Sequence, residues 1–171
     1  MVMIVPLFIF GSLLHFAYNW SKHKKEVAVV AAVNESYWEH VKIAFWPLFL
    51  FYLIEFAIGG WRHVSFLPAK TIALYIVLIL IVSFVYIYKY FLKHNFLVLD
   101  ILIFFLGILG AQIIGTILLN EILPSNTTIL FSFLFLFIIL IAFVVFTFRP
   151  PKDPDLFKDP ITKKYGLKGH K

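Results

Sequence analysis

The chain has 171 residues, of which 62% are hydrophobic, 19% aromatic and only 14% charged, with a formal net charge of +6 and no cysteine. This oiliness excludes an ordinary soluble domain, and the missing cysteine excludes disulfides, thiol nucleophiles, haem attachment and Cys-ligated zinc or iron-sulfur centres. Any metal would rest on His, Asp and Glu, and no cofactor is predicted.

Crossing roughly 30 Å of hydrocarbon takes on the order of 20 helical residues. Five apolar runs qualify, 2–18, 43–60, 71–88, 96–119 and 127–148, flanked by Trp20, Trp46, Trp61, Tyr88 and Tyr90 as interfacial anchors. The first is short and holds Pro6, but it is not read as a cleaved signal, because no basic residue precedes it and no A-x-A-like site follows. The expected fold is all-α: an integral membrane bundle of five transmembrane helices over 1–148, then a Pro-rich basic tail over 149–171. With five spans, thirteen of the 15 Lys and Arg lie on the side of the tail, and only Arg62 and Lys70 on the other. Cytoplasmic segments hold such an excess, which places the N-terminus outside and the tail inside the cell (inner or cytoplasmic) membrane. The positive charge then reads as attraction to anionic inner-leaflet lipids rather than to nucleic acid. A homo-oligomer or a membrane-complex partner stays open.

Between the first two runs lies VNESYWEHVK, residues 33–42, which concentrates charge at the cytoplasmic entry of a helix. Asn34 and Ser36 suit a helix N-cap, and Glu35 and Glu39 suit its first turns. At about 100° per residue, Glu35, Glu39, Lys42 and Trp46 share a stripe with Trp38 beside it, and Lys42 is close enough to pair with Glu39. His40 diverges from Glu39 by about 100°, so this is not the two-His face of H-E-x-x-H. Pro47 removes the hydrogen bond to the Ile43 carbonyl and predicts a kink. The preceding apolar stretch 26–33 is too short to span; 26–41 reads as a re-entrant or interfacial segment.

Intramembrane ionisable groups are functional candidates by default. His15, with Ser12 and Asn19 one turn to either side, and Asp100 lie at the same depth as the motif. His15, Asn19, Asn34, Glu35, Trp38, Glu39, His40, Lys42 and Asp100 are therefore the candidates for a ligand site or polar network. His15, Glu35, Glu39, His40 and Asp100 form the donor set for a metal, if one is present. Gly107, Ala111 and Gly115 have the small-xxx-small spacing of a packing face, and Gln112 beside it predicts a hydrogen bond to another helix. In the outer half, Glu55 is expected to pair with Arg62 or His63. His94 and His170 are expected in solvent. The tail is expected to be extended, with Leu156, Phe157 and Tyr165 as anchors.

GSLLHFAYNWS, VNESYWEHVK and a tail with LFKDP and YG together resemble a family of small bacterial and archaeal polytopic membrane proteins of unknown function. The resemblance spans nearly the whole chain, matches at Asn34, Glu35, Ser36, Trp38, Glu39, His40 and Lys42, and implies a fold but no activity. Ser12 and His15 faintly resemble the membrane metal-hydrolases that include alkaline ceramidases, although the later paired His are missing. The polar cluster is thus expected to bind a small ligand or partner or to organise the bundle. A membrane-embedded, metal-dependent hydrolase acting on lipid is the alternative, and an ion- or proton-coupled transporter the second. The transporter reading requires a wet path from the inner cluster to Glu55.

Overall fold

The computed structural model describes residues 3–152 and 155–170; Val2, where the first apolar run begins, and Asp153 and Lys171 of the tail lie outside them. Six helices follow in order: α1 (Ile4–Trp20), α2 (Lys25–Ala28), α3 (Tyr37–Ala57), α4 (Phe66–Leu92), α5 (Leu97–Glu121) and α6 (Asn126–Phe148). The fold is all-helical, with no strand among the described residues beyond a lone bridge between Lys158 and Tyr165. Four helices, α3 to α6, are long and apolar enough to cross a membrane; α1, at 17 residues, is shorter.

Each long helix lies over the apolar run that predicted it, although α3 stops at Ala57, short of 60, and α5 starts at Leu97. α3 begins at Tyr37, six residues before the run starting at 43, because the motif itself is helical. The cap works differently from expectation. Ser36 is the N-cap residue but its side chain makes no capping bond; instead the Asn34 side-chain oxygen accepts the Ser36 N–H at 2.8 Å. Pro47 sits inside α3, and the carbonyl it leaves free, that of Ile43, faces Gly11 of α1. A Cβ at Gly11 would stand 2.8 Å from that oxygen, so only glycine lets α1 lie this close to the released carbonyl.

α4 and α5 pack as an antiparallel pair through the small-residue face. Gly107 rests on Val77 and Ile81, and Gly115 on Ala73. α3 packs between α1 and α4, while Phe143 of α6 lies 4.8 Å from Phe45 and 5.1 Å from Trp38, centroid to centroid. Burial is densest where the motif enters the bundle, with Val41, Ala44, Phe45 and Leu48 at 1% exposure or less.

The tail is not an extended strand trailing away. Phe157 inserts against Trp38 and Phe146, Leu156 and Tyr165 pack on the same core, and Leu167 packs on the cluster of Tyr18, Ala28, Ala31 and Val33. Its turn is held by Asp159, which is 1% exposed and accepts the N–H groups of Ile161 (2.6 Å) and Thr162 (2.9 Å). Gly169 packs so closely on Asn34 that a Cβ there would stand 3.0 Å from its amide nitrogen.

Candidate functional site

Folding this end of the bundle divides the motif into two polar groups of opposite character. The first is closed. Lys42 is fully buried and places its ammonium 2.5 Å from Glu39 Oε2, 2.7 Å from the Ala28 carbonyl and 3.1 Å from Thr147 Oγ1. All three of its protons are matched. Glu39 Oε2 also accepts the Val33 N–H at 3.0 Å, and Thr147 passes its own proton to the Phe143 carbonyl at 2.7 Å. This network ties α3, α6 and the 26–33 stretch together, with Glu39 and Lys42 each 1% exposed or less.

The second group is open. Glu35, on the loop before α3, stands with its carboxylate oxygens 3.4 Å from His15 Nε2 and 3.8 Å from His40 Nε2. The three residues offer ligand atoms all within 4.8 Å of one another, and all are half-buried. His40 Nδ1 lies 3.0 Å from the Ser36 carbonyl. A carbonyl only accepts, so Nδ1 carries the proton in the neutral ring, and Nε2 presents a bare lone pair to the Glu35 carboxylate. A proton or a metal ion held between Nε2 and the carboxylate would satisfy both. The Ser36 contact is also the kind of outer hydrogen bond that fixes a metal-bound imidazole. The divergence of Glu39 from His40 along α3 is what sends one to Lys42 and the other to this group.

The open group borders a cleft of about 180 Å³ lined by His15, Phe16, Asn19, Glu35, Asp159 and His170, among others. The cleft is built half by the bundle and half by the tail. Asp159 Oδ2 accepts the Glu35 N–H at 3.2 Å and Asn34 donates to the Gly166 carbonyl at 2.9 Å, so the tail positions the loop that carries Glu35.

The remaining candidates sort differently from expectation. Asp100 is claimed by another set: Tyr88 donates to it at 2.5 Å, and beside it Lys89 donates to Tyr37, whose hydroxyl reaches Asn95 at 3.0 Å. Glu39 and Asp100 are thus outside the three-residue group that could hold a metal. Trp38 serves packing, among Phe143, Phe146 and Phe157. Glu55 pairs with Lys70 of α4 at 2.8 Å rather than with Arg62 or His63, which are exposed; Arg62 lies over the Trp61 ring. Gln112 is wholly buried and its amide makes no hydrogen bond in the structure, contrary to the expected interhelical one. Ser12 is turned back to the Phe8 carbonyl at 2.8 Å, which leaves no nucleophile beside His15. Between the inner groups and Glu55 lies a layer of Phe45, Leu48, Leu74, Val77 and Ile108, each 2% exposed or less, where the transporter reading requires a wet path.

Sequence reasoning missed Asp159, His23 and His170. Asp159 lies in a DP pair that reads as a loop. His170 reads as solvated, yet its Nδ1 lies 3.0 Å from the Val33 carbonyl and its ring lines the cleft.

The chain matches the family of unknown function DUF6512 over residues 1–167. It belongs to that family. No curated protein and no solved structure matches it. The site therefore has to be read from its own geometry in this DUF6512 member.

Proposed function

We propose that this protein is a multi-pass membrane protein that binds a divalent transition metal at its cytoplasmic interface through His15, Glu35 and His40. The observation that carries the reading is the pair of contacts from one carboxylate to two imidazoles, with the His40 tautomer set so that its lone pair points inward. Two imidazoles and a carboxylate suit zinc, iron or manganese and leave coordination positions open. The cleft beside His15 and Glu35 would admit water or substrate, and an ion held there would acidify a water or polarise a carbonyl or phosphoryl oxygen. Glu35 serves as the bridge between α1 and α3, and the tail fixes its loop.

In this reading α1 joins the four long helices as a fifth span that thins the bilayer locally, since its 17 residues cover only about 25 Å. Thirteen of the 15 Lys and Arg then share the side of the cleft, which is the cytoplasmic side, and the basic loops and tail meet anionic lipid. Hydrolysis at the ion is the second reading, favoured by the open cleft beside the donor set.

The test is elemental analysis of detergent-purified protein by inductively coupled plasma mass spectrometry, with His15→Ala, Glu35→Gln and His40→Ala alongside. The expected result is that each of the three variants holds one metal ion per chain fewer than the wild type. Metal content unchanged in the variants would overturn it.

A further inference from the structure

α1 ends in an unusual turn. Lys22 and His23 both adopt positive φ, 56° and 64°, without being glycine. Left-handed backbone is unfavourable for a non-glycine residue, and strain of this kind gathers at functional sites. The turn swings His23 back beneath its own helix, where Nε2 comes 3.2 Å from Asn19 Oδ1 and 2.7 Å from His170 Nε2 of the tail. The buried Tyr18 ring lies against both imidazoles, at 5.2 and 5.0 Å between centroids, and orients them.

The proton arrangement at His170 repeats that of His40. Its Nδ1 lies 3.0 Å from the Val33 carbonyl, so in the neutral ring Nδ1 is the donor and Nε2 is a bare lone pair turned towards His23. Asn19 Oδ1 adds a second acceptor. His23 Nε2 thus stands between the Asn19 amide oxygen and His170 Nε2, which brings side chains of α1, its terminal turn and the tail together. Asn19 and His170 line the same cleft as His15 and Glu35, and His15 and Asn19 are successive residues on one α1 stripe.

We propose that Asn19, His23 and His170 form a second site for a late first-row divalent cation such as zinc, nickel or copper, beside the same cleft. Imidazole donors suit these ions. An ion there fastens the tail across the cleft, replacing a single N–H···N hydrogen bond with bonds to two chain segments. This site shares no ligand with His15, Glu35 and His40, so it stands or falls independently of them.

The experiment is equilibrium dialysis of the chelator-stripped full chain against buffered zinc, with bound zinc per chain read by mass spectrometry. The proteins are the wild type, His170→Ala, His23→Gln, His40→Ala and the His40→Ala/His170→Ala double variant, each checked for unchanged elution on size exclusion. Two zinc in the wild type, one in each single variant and none in the double is the expected pattern. Two zinc retained in His170→Ala and His23→Gln, or a single wild-type zinc that vanishes in His40→Ala, overturns the second site. Zinc unchanged in His40→Ala but reduced by one in His170→Ala and in His23→Gln overturns the first site and leaves this one standing.

Discussion

Glu35 and Glu39 are one helical turn apart in the sequence and belong to opposite regimes. Glu39 is 1% exposed and shares its oxygen between an ammonium and a backbone N–H, inside a network that spends every proton of Lys42. Glu35 is half-exposed and faces two imidazole nitrogens across 3.4 and 3.8 Å, beside an open cleft. A buried pair in which every proton of the ammonium is matched is organised to be left alone, since any guest would have to displace one of those bonds. A half-buried carboxylate beside two imidazoles at the edge of a cleft has the donor chemistry to hold a cation. The difference shows why a dense run of polar residues in a membrane protein cannot be assigned a single role.

The comparison is broken most forcefully by removing one partner of the closed pair. Lys42→Met leaves the Glu39 carboxylate buried without its cation, and the expected loss is about 3–5 kcal/mol, read as a collapse of the unfolding midpoint in detergent. Adding Glu39→Gln to Lys42→Met removes the stranded charge and should restore most of that loss. If the double variant is no better than the single, the ion pair is not what makes Lys42 matter.

A smaller effect is expected at the tail. Asp159→Ala deprives the Glu35, Ile161 and Thr162 N–H groups of their acceptor, with an expected cost of about 1–3 kcal/mol. Its signature is faster proteolysis within 155–170 together with weaker metal retention, because the tail holds the Glu35 loop. Metal retention equal to wild type in a protein whose tail is cut faster would separate the tail from the site.

The smallest change in stability is expected at the open group. Glu35→Gln should shift stability by less than about 1 kcal/mol, the range of a solvent-screened pair, while removing the one metal ion held by His15, Glu35 and His40. A large loss of stability here would make Glu35 a packing residue like Glu39.

The helices were legible because apolar runs of this length leave few alternatives, and the 3.6-residue period correctly paired Glu39 with Lys42. Depth was legible as well: His15, Asn19 and the motif do meet at one end. Lateral position was not, because a one-dimensional pattern gives a residue's height in the bundle but not its neighbour across it. Asp100 stands at an end that satisfied the depth condition, yet Tyr88 claims it; Glu55 faced a choice of cations and took Lys70, on a helix whose rotation the sequence leaves free. The tail was the least legible part, since prolines and alternating charge mark a loop without saying what the loop lies on. Its attachment depends on Asp159, Gly166 and Gly169 meeting a surface that exists only once α1 and α3 have packed.

One pair of variants tests the division of the motif most directly. Metal content and unfolding midpoint are measured on the same preparations of Glu35→Gln and Glu39→Gln. The account predicts a crossed result: Glu35→Gln loses one metal ion per chain and keeps its stability, while Glu39→Gln loses stability and, in the fraction that stays folded, keeps its metal content. Both variants losing stability with metal content unchanged from wild type would contradict it, and the whole motif would then be scaffolding.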